Sequence, residues 1–99
     1  MTVKLIALAL GLAAAAAHAQ ENAVARNLAA TCASCHGTDG RSMTQEVASL
    51  AGLPKEHIAA QMKAFREGTR PSTIMQQLAK GYSDAQIDLL ADYFSRRGR

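Results

Sequence analysis

The sequence runs to 99 residues, room for at most one domain. Eleven Lys and Arg against eight Asp and Glu give a mild net charge of +3. The four aromatic residues do not interleave with the basic ones, so no stacking platform for nucleic acid is present and no nucleic-acid partner is expected.

The chain opens like an export signal. Lys4 supplies a positive start, Leu5 to Ala17 an apolar run, and Ala17-His18-Ala19 the small residues that a signal peptidase reads. Thirteen helical residues span about 20 Å, short of a hydrocarbon core of about 30 Å. Residues 1–19 are therefore expected to be a cleaved signal peptide, and residues 20–99 the exported, periplasmic domain, with no membrane insertion after cleavage. Beyond residue 19 the chain keeps ten of its eleven Lys and Arg and all eight acidic residues, a net charge of +2.

Residues 21–32, "ENAVARNLAATC", read as a helix, with Val24, Leu28 and Cys32 recurring every four residues. "HGTDGRS" reads as a loop broken at Gly37 and Gly40. A second helix is expected over residues 53–68, with Pro54 in its first turn, an apolar face of Ile58, Met62 and Phe65, and Gly68 at its C-terminal cap. Pro71 interrupts the next stretch, and Ser72 to Lys80 allow a turn or two before Gly81. The clearest helix follows. Ser83 and Gln86 form a capping box, and Ile87, Leu90 and Phe94 line one face. The arginines at its end, "RRGR", suit a solvated helix terminus. No segment alternates like a strand, so the fold class is all-α, with three to four short helices.

Both cysteines fall in one motif, Cys32-Ala33-Ser34-Cys35-His36. A redox dithiol requires C-x-x-C after a strand, and none precedes it. Zinc needs four ligands; His57 would have to close the site from twenty-one residues away, and adjacent Cys35 and His36 do not easily face one tetrahedral ion. A structural disulfide closing so small a loop restrains the unfolded chain little. Covalent haem attachment accounts for every position. Thiols at i and i+3 lie one helical turn apart, spaced to form thioethers with two vinyl groups of one porphyrin edge. The next residue, His36, then offers an imidazole nitrogen to the iron, and C-x-x-C-H is the c-type attachment signature. One covalent haem c would also supply core to a domain of about 80 residues whose side chains alone only about balance the entropy of folding.

The sixth iron ligand has four candidates. Met43 is close to His36 in a loop, Met62 lies on an apolar stripe where methionine commonly fills core, and His57 falls among charged first-turn residues. Met75 follows Pro71 and precedes the last helix, in a segment able to wrap over a far haem face. His/Met ligation favours electron transfer over oxygen chemistry.

"CASCHGTDGRS", "LAGLPKEHIAAQMKAFREGTRPSTIM" and "STIMQQLAKGYSDAQIDLLADYFSRR" together resemble a class I c-type cytochrome. The likeness is to the group of cytochrome c4 and the haem subunit of flavocytochrome c sulfide dehydrogenase, and it covers nearly all of residues 22–97. It implies Met75 as the axial ligand opposite His36, Arg70 near a haem propionate, and crossing first and last helices that bring Ala25 and Leu28 near Tyr93 and Phe94. It also implies a monohaem subunit that takes electrons from an FAD-containing sulfide dehydrogenase subunit and passes them to a downstream acceptor. The 99 residues hold no G-x-G-x-x-G flavin fingerprint, so the chain is expected not to be an enzyme by itself. The alternatives are a freely diffusing carrier between a periplasmic dehydrogenase and an oxidase or peroxidase, and a haem-based gas sensor or peroxidase should Met75 not ligate. The sequence departs from the group twice. Val47-Ala48-Ser49 stands where a proline carbonyl often orients the histidine, and Ala25 stands where the first helix often carries glycine.

Overall fold

The computed structural model describes residues 7, 10, 11 and 23–98. The expected cleavage point after Ala19 lies outside the described residues. Helix α1 covers residues 23–30. It is followed by α2 (Ala33–His36), a 3-10 turn (Thr38–Gly40), α3 (Lys55–Glu67), α4 (Met75–Ala79) and α5 (Asp84–Ser95). There is no strand among the described residues, as the sequence pattern requires. No helix among them is long and apolar enough to cross a membrane.

The caps follow from the sequence. Ser83 accepts a hydrogen bond from the Gln86 amide at 3.2 Å, and the Gln86 side chain accepts one from the Ser83 amide at 2.9 Å. Two orphan donors at the start of α5 are thereby satisfied. Gly68 ends α3 in the left-handed region, and its amide reaches back to the last carbonyls. Thr31 ends α1 by donating its hydroxyl to the Leu28 carbonyl at 2.9 Å.

The core lies where α5 packs on α3 and α1. Ile58, Leu90, Ala91, Phe94 and Ala29 are buried together, and Leu28, Leu53, Met62 and Tyr82 lie partly buried against them. Among the described residues Ile87 is the one large side chain sealed completely. The apolar face of α1 is not the expected Val24–Leu28 row. Ala25 and Ala29 are buried, Leu28 is half-buried, and Val24 is 46% exposed. Two alanines let the α1 backbone come close to α5, which a valine row would hold off. The two helices meet, but Ala29 and Ala30, rather than the expected Ala25, line the cleft with Tyr93 and Phe94, while Leu28 packs against the cluster that holds Phe94.

The chain from His36 to Gly52 is fastened to the end of α5. The Gly52 amide donates to the Phe94 carbonyl at 2.9 Å, and Arg41 Nε to the Gly98 carbonyl at 2.8 Å. The Tyr93 hydroxyl donates to Asp39 Oδ1 at 3.0 Å. Carbonyls that a helix end leaves unpaired thus hold a loop. Gly40 sits at the tightest point. A Cβ there would lie 2.7 Å from the Phe94 ring and 3.0 Å from the Ala51 amide, and its φ is +79°. Gly40→Ala is expected to cost roughly 1–3 kcal/mol from overpacking, with about 1–2 kcal/mol more from the positive φ, read as a lowered urea midpoint.

Arg66 ties α3 to α5. It donates to the Tyr82 carbonyl at 3.2 Å and to Asp84 Oδ1 at 2.5 Å. The guanidinium beside Asp84 holds its carboxyl below the usual carboxylate range, by hydrogen bond first and charge second. A carboxyl depressed in the folded state stabilises the fold above its unfolded pKa, and the contribution disappears as pH falls through the folded value. Asp84→Asn is therefore expected to be less stable near neutrality. It should lose less stability than the parent below about pH 4, in urea titrations across pH.

Candidate functional site

The motif Cys32 to His36 forms its own turn of helix. Cys32 is the N-cap of α2, and its carbonyl accepts from the Cys35 amide at 3.3 Å and the His36 amide at 2.9 Å. The turn that joins the two cysteines is thus hydrogen-bonded directly. Both thiols are free, with Cys32 half-buried and Cys35 exposed. Burial pushes the Cys32 thiol up, against the pull of the Thr31 hydroxyl, and Cys35 adds to the rise. Among the described residues no three His, Cys, Asp or Glu side chains gather as a metal cluster, so a structural zinc site finds no ligand set. The strand that a dithiol motif requires is absent among them as well.

The missing proline is replaced by plain backbone. His36 Nδ1 lies 2.6 Å from the Ala48 carbonyl oxygen. A carbonyl only accepts, so Nδ1 carries the proton and donates, and Nε2 keeps its lone pair. That is the tautomer a metal-ligating histidine needs, with ring rotation fixed by the second nitrogen. The sequence marks no side chain for this role, because the acceptor belongs to the main chain. The loop is shaped for it by Gly37, where a Cβ would fall 1.8 Å from the Arg41 carbonyl oxygen.

The residues around this motif fit a flat apolar group held by two thioethers. Leu28, Leu50, Leu53, Met62 and Tyr82 are apolar or aromatic, yet the polypeptide leaves each half-buried. Tyr82 donates its hydroxyl to Thr31 at 3.1 Å, since the Thr31 proton is already committed to Leu28.

The four sixth-ligand candidates have different settings. Met43 is 91% exposed. His57 is exposed on α3, and Met62 packs against the core. Met75 is half-buried at the first position of α4, which packs on α3. Ile74 and Leu78 flank it, 57% and 47% exposed. Arg70 is exposed, with its guanidinium 4.7 Å over the Phe65 ring and one donor on the Gln61 side-chain oxygen. Sequence reasoning did not foresee this stacking.

Comparison with known proteins places this arrangement in context. A family profile described as cytochrome c oxidase, cbb3-type, subunit III matches residues 19–94. The cytochrome subunit of sulfide dehydrogenase from Chlorobaculum tepidum is 43% identical over 67 residues, 68% of this chain and 60% of that protein. The thiosulfate dehydrogenase electron acceptor from Thiomonas intermedia is 39% identical over 69% of this chain and 32% of its own length. Among solved structures, a cytochrome c4 from Acidithiobacillus ferrooxidans superposes with a TM-score of 0.63 at 38% identity, covering 66% of this chain and 37% of that one. The match thus spans from about a third to three-fifths of each relative's length.

Proposed function

The chain belongs to the cytochrome c family whose profile is described as the cbb3-type oxidase subunit III, and on that footing we propose that it transfers single electrons in the periplasm through one covalently attached haem c. When bound, the haem supplies a one-electron iron couple. Cys32 and Cys35 would hold it as thioethers, each S–H adding across one vinyl double bond with sulfur on one carbon and hydrogen on its neighbour. His36 presents Nε2 as the proximal ligand, because the Ala48 carbonyl holds Nδ1. Met75 would offer its thioether sulfur to the same iron. Arg70 engages one donor with Gln61 and retains others for a propionate. Export depends on residues 1–19, cut after Ala19.

The partner we favour is the FAD-containing subunit of a sulfide dehydrogenase. The observation that carries this reading is the 43% identity to a cytochrome subunit of that enzyme. Exposed Ile74 and Leu78, beside the Met75 that we assign to the iron, support it, since a lasting interface covers apolar surface. The likeness to a thiosulfate dehydrogenase electron acceptor favours a second reading, a carrier that visits its donor. Mild extraction of the native protein discriminates them. A co-eluting flavin chain, with haem reduction on adding sulfide, establishes the subunit. A lone cytochrome that sulfide leaves oxidised refutes it and leaves the carrier.

A further inference from the structure

Beside the Cys32–His36 turn, α1 and the end of α5 bring three arginines to one place. Arg26 of α1 lines a cleft of about 220 Å³ with Tyr93, Arg96 and Arg97. A second cleft of about 250 Å³ shares Arg26 and Tyr93, and its other lining residues are three alanines, Thr38, Asp39 and Phe94. The dipole of α5 accounts for arginines at its C-terminus. It does not account for Arg26, which a different helix carries to the same cleft.

The nearby acidic groups leave this charge partly unbalanced. Asp92 pairs with Arg96 at 3.0 Å and also lies 3.9 Å from Lys55. Asp39 takes the Tyr93 hydroxyl and lies 3.7 Å from Arg41. Arg97 lies 4.3 Å over the Tyr93 ring and gives Nε to the Tyr93 carbonyl at 3.2 Å. Stacking fixes the plane of the fork while its terminal nitrogens keep donors, the geometry that suits bidentate oxyanion binding. Arg97 and Arg26 both act to lower the Tyr93 phenol, against the rise from burial and Asp39, so both cations stand close to that ring. Like charges held together are destabilising unless a counter-ion joins them.

We propose that Arg26, Arg96 and Arg97 form a binding site for a tetrahedral oxyanion of the phosphate or sulfate class, on the face where α1 crosses α5. Arg97 and Arg26 supply the direct contacts, and Arg96 adds charge. Neither thiol nor His36 lines either cleft, so occupation of the site does not require displacement of any haem ligand.

The test uses isotope-labelled holoprotein titrated with inorganic phosphate, then sulfate, with NMR read at the arginine Nε–H groups and the Tyr93 ring. Saturable shifts confined to these groups are expected. Arg26→Gln and Arg97→Gln should each weaken binding about tenfold while the haem spectrum stays unchanged. Vesicles of phosphatidylglycerol identify the source of the anion. Phosphate shifts without vesicle pelleting assign the site to the free ion, and pelleting that the same variants weaken assigns it to a lipid headgroup. No response to either probe, or a response that the double variant retains, overturns the proposal.

Discussion

Cys35→Ala leaves the haem on at most one thioether, and the yield of holoprotein falls steeply. Cys32 and Cys35 are joined by a single hydrogen-bonded turn, with the Cys35 amide on the Cys32 carbonyl. Two bonds from one turn fix the rotation of a flat group; one bond leaves it a hinge. The same turn carries the His36 amide, so a porphyrin that pivots about one thioether also strains the histidine. The domain feels the loss as well. Its sealed core is small, with Ile87 the one large side chain completely enclosed among the described residues, and Leu28, Leu50 and Leu53 are only half-buried. The expected outcomes are a pyridine haemochrome spectrum shifted toward that of one remaining vinyl group and a lowered thermal midpoint. Cys32→Ala should behave alike, and the double variant should release its haem into acidified organic solvent. Holoprotein from Cys35→Ala with an unshifted haemochrome spectrum would remove the anchor assignment.

Met75→Ala lowers the reduction potential and opens the iron to external ligands. A thioether is a soft, weakly donating ligand that favours the reduced iron; water or a stray nitrogen base does not. Axial ligands move haem potentials over a range of about 0.8 V, so a fall on the order of 0.1 V or more is expected. Carbon monoxide, which Met75 on the iron would keep out of the parent, should bind the reduced variant. The fold should tolerate the change, because Met75 starts a short helix and is only half-buried. Met62→Ala is the control. Its side chain packs on the core, so it should lose stability while the potential stays near the parent value. A Met75→Ala protein with unaltered potential and no carbon monoxide complex would transfer the ligand role to Met62 or His57.

Much of this could be read from residue types, and the unread parts share a cause. Side chains with one dominant use were legible: Ser83 and Gln86 as a capping box, Gly68 as a C-cap, Ile87, Leu90 and Phe94 as a buried face. The paired cysteines and His36 were legible as a motif because the chemistry of attachment fixes their spacing. Three features were less legible. Ala48 acts through its carbonyl, which every residue possesses, so the sequence points to a backbone acceptor around Val47-Ala48-Ser49 without marking which residue supplies it. The family resemblance points to Ala25, but hydrophobic periodicity passes over it and Ala29 to Val24, because each buries little area although close helix approach depends on small residues. Arg70 and Arg97 lie over aromatic rings that tertiary structure brings to them. Sequence separation of three or four residues is visible to pattern reading; main-chain acceptors and stacked cations are not.

The loop that carries His36 and Ala48 is fastened by contacts between residues far apart in the chain. Asp39 and Tyr93 are 54 positions apart, and Arg41 and Gly98 are 57. The α2 turn, by contrast, closes within five residues. Local contacts form early in folding, whereas distant ones wait for loop closure. The two thiols are therefore in register before the histidine is. During synthesis and export α5 also emerges after α2, so haem attachment can precede the step that orients the histidine. On this ordering, a chain cut before Asp84 would still acquire thioethers yet show a disordered fifth ligand in its spectrum, and a truncated chain with native ligation would reverse the order.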